Sequence, residues 1–217
     1  MNSDIKTYYN QRAKEYEKVY HNPDEQDDLK TAVDYFQHLF LDKTVLEIAC
    51  GTGYWTERIA KTATSVFATD INKSVVEIAL RRQTKNNVRF NVADMYHLNT
   101  DMKYQGIFGG FIWSHILLQD LDRFLLKLKD LLTEDEILVF IDSNPVDDTI
   151  HDKKRVSHTD EHGNTYQTRM LEDGTSHLVL KNFPTKEFLL NKLSVIATDI
   201  NYIQLEYYWI VSCSLKV

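Results

Sequence analysis

The chain has 217 residues with 43% hydrophobic and 26% charged side chains, which is ordinary globular composition and enough length to bury a core without disulfides or a structural metal. A formal charge of −7 with no Lys/Arg block makes a nucleic-acid partner not expected. With 7 Gly and 3 Pro there is no sign of a long linker. No apolar run approaches a membrane span, and MNSDIKTYYN lacks the apolar core of a signal peptide, so the expectation is a cytoplasmic protein, monomer or homodimer.

The first forty residues read as helical. Tyr8, Tyr9, Arg12, Tyr16, Val19 and Tyr20 recur at three- and four-residue spacing and predict one aromatic face. A break is expected at His21-Asn22-Pro23, then a second helix from about Glu25 to Phe40 with Leu29, Val33, Phe36, Leu39 and Phe40 as its apolar stripe.

From residue 43 strands and helices alternate. Thr44 to Ala49 is a short apolar run before a glycine turn, and Thr56 to Ala63 reads as helix. Ser65 to Thr69 is a second strand ending in Asp70. Asn72 can cap the helix of Val75, Val76, Ala79 and Leu80. Val88 to Val92, Ile107 to Trp113 and Glu136 to Ile141 read as three more strands, with an amphipathic helix from Leu117 to Leu132 before the last. Such alternation predicts a mostly parallel sheet covered on both faces.

The tail differs. Thr165 to Leu171 and Thr175 to Phe183 alternate around Glu172-Asp173-Gly174, a hairpin pattern. A helix opened by Pro184-Thr185 and two strands, Val195 to Ile200 and Glu206 to Leu215, complete the chain. Residues 144–164 are polar and read as a surface insertion. The expected fold class is therefore α/β, a Rossmann-like, seven-stranded, mostly parallel sheet with an N-terminal helical lid and a β-hairpin insertion after the fifth strand. It forms one domain over 1–217: a cap at 1–42, a core at 43–143, an insertion at 144–183 and a C-terminal part at 184–217.

The strongest local signal is Val45-Leu46-Glu47-Ile48-Ala49-Cys50-Gly51-Thr52-Gly53-Tyr54-Trp55-Thr56, a Gly-x-Gly turn between the first strand and its helix. Glycine lets a ligand approach the backbone, and the helix N-terminus offers free N–H groups. Asp70 ends the second strand and Asp94 follows the third, where strand ends converge on a ligand crevice. An acid in the first place can take both ribose hydroxyls of a nucleoside; one in the second can reach an adenine amino group. Both also have structural uses, Asp70 as a helix cap and Asp94 as a turn residue.

VLEIACGTGYWT, the acid of VFATDIN and that of NVADM resemble the first three motifs of class I S-adenosylmethionine-dependent methyltransferases. YYNQRAKEYEKVY resembles the Tyr-rich N-terminal helix of many bacterial members, and FIWSHI, VFIDSNP and VLKNFPT resemble a bacterial small-molecule-type subgroup. The resemblance implies S-adenosylmethionine as methyl donor, with S-adenosylhomocysteine as product. It puts Glu47 near the methionine end, Ala49, Gly51 and Gly53 in the loop, Asp70 on the ribose and Ile71 against the adenine. Asp94 and Met95 would line the adenine pocket, and Tyr9 and Tyr16 would close over the methionine. Cys50, Trp55 and Ser114 are counted with the cofactor-binding candidates. Ala49 departs from the glycine usual in the wider family. No metal is expected: His158 and His162 have helix-compatible spacing but no supporting carboxylate or cysteine frame.

His115 follows the fourth strand, where an acceptor would meet the donor, and is the candidate general base; a structural role is the equal alternative. The expected function is direct methyl transfer to an O or N atom of a small-molecule acceptor. The alternatives are an NAD(P)-dependent oxidoreductase and a non-catalytic S-adenosylmethionine-binding protein. Against the dinucleotide stand Thr56 at the third glycine position, Glu47 four residues before Gly51, where it would repel a pyrophosphate, and the third acid Asp94. No Asn/Asp-Pro-Pro-Tyr/Phe tetrad of the kind used on exocyclic base amines follows the fourth strand, and Cys50 lacks the neighbours of a reactive thiol.

Overall fold

A computed structural model describes residues 3–82, 84, 86–98, 102–145 and 156–215. The N-terminal segment consists of helix α1 (Ser3–Arg12), two short 3-10 turns (Tyr16–Tyr20 and Pro23–Glu25) and α2 (Gln26–Leu39). The aromatic periodicity expected to make one helix face is broken earlier than His21: the chain leaves α1 at Ala13 and re-enters as a 3-10 turn. Tyr8 and Tyr16 thereby serve different surfaces.

The core follows as β1 (Thr44–Ile48), α3 (Tyr54–Ile59), β2 (Ser65–Asp70), α4 (Lys73–Ala79), β3 (Val88–Val92), β4 (Tyr104–Gly110), α5 (Leu121–Lys129) and β5 (Leu132–Ser143). After it come β6 (His158–Thr159), β7 (Thr165–Met170), β8 (Ser176–Leu180), α6 (Lys186–Ser194), β9 (Ala197–Gln204) and β10 (Tyr208–Leu215). Seven strands form one sheet in the order β3-β2-β1-β4-β5-β10-β9, in which β10 alone runs antiparallel to its neighbours. The expected hairpin of β7 and β8 is joined by β6 into a separate three-stranded sheet. Residues 146–155 of the expected insertion lie outside the described residues.

Two apolar layers sandwich the sheet. One packs α2 and α3 onto it through Leu29, Phe36, Phe40, Trp55, Ile59 and Phe108. The other brings α5 and α6 against it, with Trp113, Phe124, Phe140 and Trp209 at its centre. Leu121, Phe124, Leu125 and Leu128 of α5 are all buried, at about 1.5–3 kcal/mol each, which makes this short helix a main anchor of that face. It is shorter than the 117–132 expected because Leu118–Asp120 is a 3-10 turn and Leu132 already begins β5.

Strand β4 also differs from its expected range, starting at Tyr104 and ending before Trp113. The strand stops where Phe111 adopts φ 56°, a left-handed conformation rare for an aromatic residue, and Trp113–His115 forms a buried 3-10 turn. This places His115 across the end of the sheet. The strand order reverses between β1 and β4, the position where an open α/β sheet leaves a crevice beyond its carboxyl ends.

Candidate active site

The crevice is a cleft with about 640 Å³ of space between its walls, part of it open to solvent. Its floor is the β1–α3 turn. Ala49, Gly51 and Gly53 have φ of 52°, 55° and 83°, so three left-handed residues reverse the chain within five positions. At Gly53 an added Cβ would come 3.1 Å from Ala79, so the turn also needs glycine to sit close to α4. Alanine at 49 accepts the left-handed strain that glycine would avoid.

Asp70 joins this floor to the next loop. One carboxylate oxygen accepts from the Gly51 N–H at 3.0 Å and the other from the Asn72 N–H at 2.8 Å. Burial raises its pKa, and these backbone donors work against that rise. Asn72 does not cap α4 with its side chain; its Oδ1 is buried without a partner among the described residues. Ile71, Asn72 and Val75 continue one wall, and Ala93 and Met95 form another.

Glu47 is buried at the end of β1 with 1% exposure, and its Oε2 has no hydrogen-bond partner among the described residues. Burial lifts its pKa to about 8 against the downward pull of Thr56 and Arg82. A buried acid with an idle oxygen beside this cleft fits a cationic ligand group.

Tyr9 and Tyr16 roof the cleft, and His115 closes its far end. The Tyr9 hydroxyl lies 2.7 Å from His115 Nε2, and His115 Nδ1 lies 2.5 Å from the Leu180 carbonyl. A carbonyl only accepts, so Nδ1 carries the hydrogen and Nε2 accepts from Tyr9. Burial, then Lys181 and Arg169, hold the His115 pKa well below its ordinary value. Behind the histidine, Lys181 Nζ donates to Asp142 at 2.7 Å and to Ser114 Oγ at 2.8 Å, while Asp142 also accepts from the Ser114 N–H at 2.9 Å. Burial would raise the Asp142 pKa, but Lys181 overrides it and keeps the carboxyl ionised.

The cleft thus collects Tyr9, Tyr16, Ala49, Gly51, Asp70, Ile71, Met95 and His115 from the sequence candidates. The others lie behind its wall. Trp55 packs against Phe36 and Phe108, Cys50 is buried with its thiol 3.8 Å from the Gly51 carbonyl, and Ser114 serves the Lys181 network. Asp94 is not among the residues that line the cleft; one carboxylate oxygen accepts the Tyr96 N–H at 2.9 Å and the other lies 3.1 Å from His97 Nδ1. Phe111, Asp142, Arg169 and Lys181 escaped the sequence reading. Only Asp142, a charge inside an apolar strand, left a signal that could have been used. No group of three metal-ligating side chains occurs among the described residues.

Residues 45–135 match a family model described as a methyltransferase domain. A 100-residue stretch is 35% identical to malonyl-acyl-carrier-protein O-methyltransferase of Bacillus cereus, covering 44% of this chain and 36% of that protein. The match with the Bacillus anthracis protein of the same description is 33% identical over the same shares. The matched stretch therefore spans little more than a third of these curated relatives. Over the whole fold, the chain is similar to a structure titled as a complex of DhpI with SAM and HEP. The TM-score is 0.82 at 21% identity, over 98% of this chain and 99% of that one. The DhpI complex with SAH gives a TM-score of 0.81 at 21% identity, over 98% of this chain and 95% of that one.

Proposed function

We propose that the chain, whose residues 45–135 match a methyltransferase-domain model, is a class I S-adenosylmethionine-dependent methyltransferase that moves the methyl group of S-adenosylmethionine onto an O or N atom of a small-molecule acceptor by direct displacement. The cofactor supplies a methyl group activated on a sulfonium, so the protein's task is alignment, which can be worth about 7–11 kcal/mol in ideal cases.

The observation that carries this reading is Glu47, a buried carboxyl at the foot of the glycine turn with one oxygen unused. It suits the cofactor's ammonium and would oppose a pyrophosphate, which disfavours the dinucleotide alternative. Asp70 keeps lone pairs for ribose hydroxyls while its backbone partners fix its direction. Met95 and Ile71 offer apolar surface to an adenine. Tyr9 and Tyr16 exclude water from the line between donor and acceptor. His115 Nε2 accepts from the Tyr9 hydroxyl at 2.7 Å at the same end of the cleft.

Calorimetric titration with S-adenosylhomocysteine and separately with NAD tests this on wild type and Asp70→Ala. Micromolar binding of S-adenosylhomocysteine and none of NAD is expected. Each hydrogen bond to a charged group is worth about 1.5–3 kcal/mol, so the variant should bind at least about a hundredfold more weakly. Absence of S-adenosylhomocysteine binding by the wild type would sink the proposal, and NAD binding would move it to the oxidoreductases.

A further inference from the structure

Arg82, just past α4, spends its guanidinium on three separate elements. Nε donates to the Thr52 carbonyl inside the glycine turn at 2.5 Å, Nη1 to Glu57 of α3 at 2.7 Å, and Nη2 to Glu17 of the Tyr16–Tyr20 turn at 2.6 Å. Thr52 Oγ1 in turn donates to the other oxygen of Glu17. Arg82, Thr52 and Glu17 thus close a ring of hydrogen bonds between the floor of the cleft and the N-terminal segment. The ring is packed as well as bonded, because a Cβ added at Gly53 would come 3.1 Å from Arg82 Cδ. With side-chain exposures of 18% for Arg82, 31% for Glu17 and 34% for Glu57, these charges are screened less than a surface pair.

Next to Glu17 stands Tyr16, one of the two tyrosines over the cleft. Its Cε1 lies 3.6 Å from where a Cβ on Gly51 would stand. Other ties hold this stretch of chain, but none of them joins it to the glycine turn. Tyr20 is buried and stacks on Tyr54 of α3 at 3.6 Å between ring centroids, which anchors the far end of the Tyr16–Tyr20 turn. Lys18 pairs with Glu172 in solvent, where such a pair contributes little. Arg12 and Tyr9 touch the Tyr16 ring from within the N-terminal segment. Glu17, held by Arg82 and Thr52, is therefore the polar tie between this turn and the floor of the cleft.

Resting on the methyltransferase reading above, we propose that Arg82 is a positioning residue of the donor site: through Glu17 and Thr52 it holds Tyr16 against the glycine turn, and so sets how long S-adenosylhomocysteine stays bound. Arg82 is not among the residues that line the cleft, so it acts through its partners and not by touching the ligand. A ligand on the turn lies beneath Tyr16 and leaves when that ring lifts, which pulls Glu17 from both Arg82 and Thr52. Without the guanidinium that joins them, Glu17 and Glu57 repel each other across the space it leaves. The effect falls on release, because truncating one partner of a hydrogen-bonded charge pair acts chiefly on dissociation.

The test is surface plasmon resonance with S-adenosylhomocysteine on the full chain. Arg82→Met keeps an unbranched stem over Gly53 and should raise the dissociation rate about tenfold, with association changed by less than about twofold. Arg82→Lys should restore part of the residence time, and Glu17→Gln/Arg82→Met should release the ligand no faster than Arg82→Met alone. In a Tyr16→Ala background, where release is already fast, Arg82→Met should add nothing, whereas a general loosening of the turn would act in both backgrounds. An unchanged dissociation rate in Arg82→Met, or the same increase with Tyr16 absent, overturns the proposal. Should Arg82→Met melt below the assay temperature, Glu17→Gln carries the comparison: faster release supports the proposal and unchanged release overturns it. Failure of the methyltransferase reading itself is seen separately, as absence of S-adenosylhomocysteine binding by the wild type.

Discussion

The glycine-turn end and the His115 end of the cleft, proposed for the donor and the acceptor, are built from unlike charges and unlike kinds of structure. At the glycine-turn end, Glu47 and Asp70 are buried acids on adjacent parallel strands, and Asp70 is tied to the turn through the Gly51 N–H. At the acceptor end, Arg169, Lys181, His115 and Tyr9 come from a separate small sheet, the chain just after it, a 3-10 turn and the N-terminal helix. The first arrangement is local and rigid. The second is assembled from distant segments and depends on cross-chain hydrogen bonds. A site of this design can keep its donor fixed while its acceptor chemistry is decided elsewhere.

The sharpest way to break the comparison is at the one buried ion pair of the acceptor end. Asp142→Asn removes the carboxylate that pairs with the Lys181 ammonium, with side-chain exposures of 7% for Lys181 and 1% for Asp142 in the native pair. Removing one partner of such a pair costs about 3–5 kcal/mol, to be read from urea unfolding. The Trp113–His115 turn, which hangs from Asp142 through the Ser114 N–H, should loosen with it. Unchanged stability would show that this end is wetter than its packing implies.

The donor end is sharpened by pH. With Glu47 lifted to about 8, the free protein holds this carboxyl protonated at neutral pH. Binding of an ammonium ionises it and expels the proton. Affinity for S-adenosylhomocysteine should therefore rise with pH by up to about tenfold per unit and level off near pH 8. The same raised value makes the carboxyl favour folding most below its unfolded pKa, a contribution lost as pH rises through about 8. Glu47→Gln should flatten both dependences, measured by calorimetry in buffers of different ionisation enthalpy and by thermal melting. A slope that survives in the variant would assign the proton to another group.

The smallest effect concerns strain. Ala49 sits at φ 52°, a conformation glycine adopts freely. Ala49→Gly should gain about 0.5–1 kcal/mol from relieved strain, less what the more flexible unfolded chain takes back, a net shift visible as a small rise in melting temperature. A fall would mean that the methyl group packs on the ligand side of the turn.

The same division governed what the sequence could disclose. The donor end was legible because its determinants are consecutive: an apolar strand, a glycine turn, an acid at the next strand end. Seven strands and their alternation with helices were readable for the same reason. The end of β4 was not, because Phe111 turns the chain with a backbone conformation that its side chain does not advertise, and Trp113 looked like one more strand residue. Arg169 was invisible in another way. An arginine on an alternating strand reads as solvent-facing, and only the position of α1 over the small sheet turns it inward. Asp94 shows the converse limit, a residue at the expected place in the chain that does not line the cleft and whose carboxylate oxygens meet the Tyr96 N–H and His97.

The break between α1 and the following 3-10 turn bears on how such a molecule could be rebuilt. Ile5 and Tyr8 share a small core with Leu171, Val179 and Leu180 of the insertion, whereas Glu17, just past the break, is bound to Thr52 and Arg82 beside the glycine turn. The N-terminal segment thus divides its apolar and polar anchors between the small sheet and the glycine turn, with Lys18–Glu172 and Asn10–Ser74 as links across that division. A designer wishing to graft a new chamber onto this core would have to transplant 3–12 and 156–183 as a matched pair, with the splice at residues 13–15, and rebuild the Lys18–Glu172 and Asn10–Ser74 links across the seam.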